Sequence, residues 1–212
     1  MKKSIKILLI LGIIIFLIYH SITIQSLSEY KKIQMGNQFN PLVYAESYWT
    51  NTVQPGIEEA LPLNFLHSIL KNDDESAFQQ YGNAISIGNI GYFLIKSSGK
   101  VLEINENEII LLLEDGNEEE RINLATEFIY GNAVRDVFGA IDLNEFESTA
   151  DLNKVSEEIN KIIRAKVVAP FLQEILTGDR IEFVGVIELN SKHLNFRDLE
   201  AIPLSISILS GQ

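Results

Sequence analysis

Two adjacent residues of opposite charge, Arg135 and Asp136, stand directly before a short apolar run of Val137, Phe138, Ala140, Ile141 and Leu143. Such a pair either forms a fixed ion pair that organises a core or presents charge to a ligand at an open edge, and the residue types fit both. Three more carboxylates follow closely, Asp142, Glu145 and Glu147. Two carboxylates flanking a scissile bond can work as acid and base, and strand alternation would put Asp136 and Asp142 on one face. A carboxylate-dependent hydrolase of the cell envelope is therefore the catalytic alternative. Against it, nearby carboxylates arise by chance in a chain with 29 acidic residues, and no catalytic constellation accompanies them. The expectation is a protein that is not an enzyme and holds no metal or cofactor.

A second candidate set is aromatic. Tyr44, Tyr48 and Trp49 recur at i, i+4, i+5 along a predicted helix. They either pack against the domain or offer a stacking platform to a sugar ring. His67 lies beside an apolar stripe with no second His or carboxylate at ligand spacing, so it reads as a packing or surface residue. GNIG at Gly88–Gly91 matches the backbone-clamping loop of an RNA-binding module, but it sits inside a strand pattern. The acidic run Glu118–Glu120 lacks the alternating Asp/Asn ligands of a calcium loop.

The elements that must position these residues are legible from caps and periodicity. Within the stretch Tyr130–Phe146, the apolar run from Val137 to Leu143, bounded by Gly131 and by Asn144–Glu145, reads as a buried central strand. Adjacent strand residues point to opposite faces, so Arg135 and Asp136 could not bond to one another there. GNAVRD is expected instead to form a helical turn leading into the strand, with the two side chains diverging toward different neighbours. Asn40–Pro41 marks a helix start, the helix running to about Thr52 before Gln54–Pro55–Gly56 breaks it. A second helix follows Pro62 with Leu63, Leu66, Ile69 and Leu70 as its stripe, and a third is capped by Asp73 or Asp74 and ended by Gly82.

From Asn83 the period changes to two. Segments at Ala84–Gly88, Ile90–Lys96, Lys100–Ile104, Glu108–Leu113 and Glu120–Leu124 read as an antiparallel meander, with turns at Ser98–Gly99, Glu106–Asn107 and Asp115–Gly116. Ser148 to Ala169 is the clearest helix, opened by Ser148-x-x-Asp151 and closed by Pro170. Strands at Arg180–Leu189 and Ile202–Ile208 complete the chain. The predicted fold class is mainly β with α decoration (α+β). It is an OB-like small antiparallel barrel with N-terminal helices and one long covering helix, behind an N-terminal transmembrane helix. The organisation is an anchor at 1–25, a tether at 26–40, a helical segment at 41–82, and the barrel at 83–212 with helix 148–169 inserted.

Charge and composition narrow the partners. The chain has a net charge of -12, and setting aside Lys2, Lys3 and Lys6 leaves 14 basic against 29 acidic residues. Such a surface repels phosphate backbones, so nucleic acid is excluded as a partner. Lys2, Lys3 and Lys6 precede the apolar stretch Ile7–Ile18, which extends through Ile24 to 18 residues. At about 1.5 Å per residue that length can span a membrane. The only small-x-small cleavage candidate, Ser26–Leu27–Ser28, lies well past the apolar core, so an uncleaved signal-anchor is preferred to a cleaved signal. The basic flank keeps the N-terminus inside and exports the acidic domain. The expected location is the inner membrane, single-pass, with the domain facing the periplasm or exterior.

Four segments, FNPLVYAESYW (Phe39–Trp49), the Tyr81–Gly82 pair, GNAVRDVFGAIDLNEF (Gly131–Phe146) and TGDRIEFVGVIEL (Thr177–Leu189), resemble domain-of-unknown-function family 2291, predicted periplasmic lipoproteins. The similarity runs in order over roughly residues 20 to 209. It implies an exported, membrane-attached bacterial protein with an OB-like fold, often encoded beside sugar ABC transporters, whose components are the implied partners. Arg135 and Asp136 match the family's arginine–aspartate pair. The chain departs from the family in having no cysteine to carry a lipid.

Overall fold

Six strands and a set of short helices, described by a computed structural model over residues 39–85, 88–114, 120–197 and 199–209, build a sheet that returns upon itself. Asn40 opens α1 (Pro41–Tyr48), its side chain accepting from the amides of Leu42 and Val43. The helix does not break at Gln54–Pro55–Gly56. A π-turn over Trp49–Val53 shifts the ladder by one residue, and Gln54–Gly56 continues as helix into a 3-10 turn at Ile57–Glu59. Pro55 has no N–H and its ring clashes with a carbonyl one turn back in a regular helix, and the wider turn just before it relieves that conflict.

β1 (Leu61–Pro62), α2 (Leu63–Asn72) and α3 (Asp74–Tyr81) follow. Leu63, Leu66 and Leu70 of α2 are buried in the core, and Asp73 caps α3 by accepting from the Ser76 amide. β2 is a single strand of 15 residues, Ile90–Ile104, with no turn at Ser98–Gly99. It pairs antiparallel with β5 (Arg180–Asn190) from Ile90 to Lys100 and with β3 (Glu108–Leu113) from Gly99 to Ile104. Gly99 pairs with Leu113 and with Ile181, and a Cβ there would stand 2.7 Å from the Leu112 carbonyl oxygen. The glycine is needed for close approach where the strand crosses from one partner to the other.

β4 (Arg121–Ala125) pairs antiparallel with β3, and β6 (Leu199–Ile208) pairs antiparallel with β5. The remaining link, β4 to β6, is parallel over Ile122–Leu124 and Leu199–Ala201, as is β1 with β2. The order β2-β3-β4-β6-β5 closing back to β2 is therefore mixed and not wholly antiparallel. Phe93, Ile95, Ile109, Leu111, Ile122, Leu124, Ile181 and Phe183, all fully buried, fill its interior. Asn83 makes only an isolated bridge to Tyr92 where a strand over Ala84–Gly88 is expected, and part of that segment lies outside the described residues.

Between β4 and β5 the chain carries its remaining helices. The central strand expected over the apolar run from Val137 to Leu143 does not form, whereas the helical turn expected before it does. Ala133–Asp136 is a helical turn, α4, and after it Gly139 adopts φ +61°, followed by a 3-10 turn at Leu143–Glu145. Positive φ interrupts a strand, and the apolar run is only partly inside, with Val137 buried and Leu143 half exposed. α5 (Thr149–Ile163) is capped by Ser148 and buries Leu152, Val155, Ile159, Ile162 and Ile163. Pro170 does not end it. A second π-turn, Arg164–Val168, stands in the same relation to Pro170 as the first does to Pro55, and α6 (Ala169–Leu172) runs through the proline.

Asn40–Gln212 forms one compact unit holding both the helices and the sheet. Among the described residues no helix is long and apolar enough to cross a membrane. The anchor at 1–25 and nearly all of the tether at 26–40 lie outside the described residues, as do the Asp115–Gly116 turn and Glu118–Glu119.

Candidate functional site: an aromatic loop beside a polar cleft

Where β4 ends, the chain enters a loop whose side chains alternate. Ile129 is fully buried, whereas Phe128 and Tyr130 on either side of it are 55% and 67% exposed. Their rings stack with centroids 5.9 Å apart and planes at 28°. Exposing two large aromatic rings together leaves apolar area in water, which a folded protein tolerates most readily where a partner covers it.

Two polar side chains, half-buried Arg164 and buried Asn160, hold this loop from behind. Arg164 donates from Nη1 to the Ile129 carbonyl at 2.7 Å, and Asn160 donates from Nδ2 to the Gly131 carbonyl at 3.0 Å. Gly131 turns the chain at φ +77°, in the left-handed region that glycine enters without steric cost. Asn132 then donates from Nδ2 to Asp136 Oδ2, while its Oδ1 accepts from the Tyr92 hydroxyl at 3.3 Å. The Asn132 amide is thus fixed in one orientation.

Asp136 takes its other bond from Arg135, whose Nε lies 2.6 Å from Oδ1. The two side chains are 6% and 0% exposed. Their mutual bond corrects the expectation of divergence, because the helical turn lets neighbouring side chains swing to a common side where a strand could not. Arg135 also donates from Nη1 to Ser156 Oγ at 3.0 Å and to the Leu152 carbonyl at 3.3 Å, tying α4 to α5. Among the described residues no buried side-chain nitrogen or oxygen lacks a partner. The pair is thus the centre of a buried polar network that reaches surface grooves through Asn132 and Ser156.

The aromatic trio on the first helix offers no open platform. Tyr48 and Trp49 are 6% and 5% exposed. The Tyr48 hydroxyl donates to the Arg135 carbonyl at 2.7 Å, and burial, with Asp136 nearby, pushes its pKa well up. Tyr44 donates to Glu145 Oε2 at 2.9 Å and meets the Phe146 ring edge-on, with partial burial and that carboxylate raising its pKa to about 12. Asp136 and Asp142, the carboxylates expected on one face, stand in different surroundings. Asp136 is sealed, whereas Asp142 is exposed and accepts from the Asn144 amide at the 3-10 turn. Without a strand between them, no shared face exists.

In front of the aromatic loop lies a cleft of about 680 Å³ lined by Phe128, Tyr130 and Asn132 and, across from them, by Glu188, Asn190 and Arg197. Tyr92 lines it as well, and burial, with Glu188 and Asp136 near, raises its pKa, so its hydroxyl is a donor at neutral pH. Behind Tyr130 is a smaller groove of about 430 Å³ walled by α5 through Asn153, Glu157 and Asn160. Exposed rings beside amide, carboxylate and guanidinium groups suit a polar ligand with one apolar face, such as a sugar ring. Sequence reading missed Phe128 and Tyr130, although two aromatics flanking one isoleucine before a glycine carry a period-two signal that puts both rings on one side.

Comparison with known proteins agrees with this architecture. The chain matches the pattern of the predicted periplasmic lipoprotein family (DUF2291) over residues 12–207. Among solved structures it is similar to an OB-fold protein (TM0957) from Thermotoga maritima. The two share 25% identity and a TM-score of 0.70 over 82% of this chain and all of that one. No curated protein matches it. With nearly its whole length covered by the family pattern, the chain belongs to the predicted periplasmic lipoprotein family, whose members are envelope-associated.

Proposed function

We propose that this protein is a non-catalytic binding module of the bacterial envelope. It is attached to the inner membrane by its N-terminal apolar segment and serves a sugar uptake system of the ABC type. Attachment through the segment is favoured by Lys2, Lys3 and Lys6 before Ile7–Ile24 and by the absence of a cysteine to carry lipid. The uptake system is what the family resemblance implies. The observation that carries the binding role is the exposed, stacked Phe128–Tyr130 pair on a loop pinned from behind, beside a cleft lined by Asn132, Glu188, Asn190 and Arg197. A ligand reaching a loop already held in place loses little free energy to ordering it. The apolar face of a sugar ring covers the aromatic rings while its hydroxyls meet the amide, carboxylate and guanidinium groups.

The hydrolase alternative is the weaker reading, since Asp136 is committed to Arg135 and Asn132 and Asp142 lies elsewhere on the surface. The test is calorimetric titration of the full chain in detergent micelles with a panel of neutral pentoses, hexoses and their disaccharides. At least one should bind. Phe128→Ala and Tyr130→Ala should each weaken it by roughly 2- to 10-fold, the worth of one aromatic contact, at unchanged melting temperature. A panel without a binder, or a bound sugar indifferent to both substitutions, would overturn the reading.

A further inference from the structure

β6 has an open edge. Its first three residues, Leu199–Ala201, lie beside β4, but β4 ends at Ala125 and, among the described residues, no strand flanks β6 beyond that point on this side. The register with β5 fixes which backbone groups face the opening. Leu209 donates its N–H to the Arg180 carbonyl, so Ile181 and Ile208 form a non-hydrogen-bonded pair, and Ser205 and Ser207 turn their N–H and C=O groups toward β5. Ile206 and Ile208 therefore direct theirs away from it. Neither residue makes a backbone hydrogen bond on that side with any described residue.

Alongside this edge runs a groove of about 800 Å³, closed on its far side by the two helical segments that carry the π-turns. Half-buried Ile57 from the first and half-buried Val167 with exposed Pro170 from the second supply its apolar wall, and Gln54, Lys166 and Glu174 stand exposed beside them. A strand edge facing a helix across a channel with both apolar and polar walls is the geometry of strand addition, in which a guest backbone bonds the edge and alternate side chains enter the channel. Backbone donors and acceptors alternating along an edge match an extended chain and nothing more compact, and the track is the one β4 has just left.

We infer that this groove takes an extended peptide segment of a partner protein, with apolar residues at alternate positions, as an added strand on β6 at Ser205–Ile208. The site is distinct from the aromatic loop and does not depend on a saccharide binding there.

The probe is a blocked six-residue peptide of alternating valine and threonine, added to the isotope-labelled full chain in detergent micelles and followed by amide hydrogen exchange. In the free protein, Ile206 and Ile208 should exchange much faster than Ser205 and Ser207, and the peptide should slow them saturably. Two N-methylated versions separate edge pairing from general stickiness. Methylation of the residues whose N–H faces β6 should abolish binding, and methylation of the alternate set should spare it. Ile206→Pro removes one outward N–H without touching the β5 ladder and should weaken the peptide by up to about tenfold, the worth of one hydrogen bond. Should that variant fail to fold, the methylated pair still decides. Three results overturn the proposal: no saturable binding, equal binding of both methylated peptides, or Ile206 and Ile208 already protected in the free chain. Protection that rises with protein concentration would make the occupant a second copy and would overturn it as well.

Discussion

Replacing Arg135 by methionine should be among the most damaging single changes in the domain. The guanidinium neutralises Asp136, whose side chain is fully buried, and it bonds Ser156 Oγ and the Leu152 carbonyl of α5. Methionine fills much of the volume but leaves the carboxylate with Asn132 as its only side-chain partner among the described residues. Breaking a buried pair from one side costs about 3–5 kcal/mol, because a charge then stays in a low-dielectric site uncompensated. For a domain of this size each kcal/mol lowers the melting temperature by about 2–4 °C, so a fall of roughly 6–20 °C is expected. The double variant Arg135→Met/Asp136→Leu removes both charges and should recover more than half of the loss. Thermal unfolding of the full chain in detergent, followed by circular dichroism for all variants, gives the comparison. A single variant within about 1 kcal/mol of wild type, inside the range of ordinary surface changes, would refute the sealed-pair reasoning. So would a double variant worse than the single.

Tyr48→Phe should cost about 1–2 kcal/mol in urea unfolding, since it removes the donor to the Arg135 carbonyl and leaves that buried oxygen unpaired. Gly99→Ala should destabilise by about 1–3 kcal/mol, because its Cβ would stand 2.7 Å from the Leu112 carbonyl oxygen and force the strands apart. If β2 instead turned at Ser98–Gly99, that position would have room and the melting temperature would hold. Glu200→Gln should stabilise the protein at neutral pH and leave it unchanged below about pH 4. Desolvation, with Glu108 near, raises the Glu200 pKa in the fold, so its contribution is intact below the unfolded carboxylate pKa and is lost as pH rises through the folded one. Melting curves from pH 3 to 8 would expose the opposite sign at once.

The features legible in the sequence were those set by local chemistry. Asn40, Asp73 and Ser148 cap their helices because a short side chain reaches an amide two or three residues ahead, whatever the rest of the chain does. What failed depended on distant partners. Ser98–Gly99 carries a turn signal, yet Gly99 serves close approach to β3 at the point where β2 also pairs with β5, far away in sequence. Pro55 and Pro170 signal helix ends, yet each follows a π-turn that lets its helix continue through the proline. Arg135 and Asp136 stood out as a pair, but whether they could bond depended on a helical turn in place of a strand. The aromatic loop was hidden for a related reason. Alternation shows that Phe128 and Tyr130 share a side, but only the positions of Arg164 and Asn160 on the long helical segment decide that this side faces water.

The most direct test of a ligand site at this loop is chemical-shift mapping of the isotope-labelled full chain in micelles, titrated with the tightest-binding saccharide of the panel. Saturable shifts should concentrate at Phe128–Asn132 and at Tyr92, Glu188, Asn190 and Arg197, leaving the groove beside β6 unmoved. Shifts confined to any other surface, with Phe128 and Tyr130 silent, would contradict it.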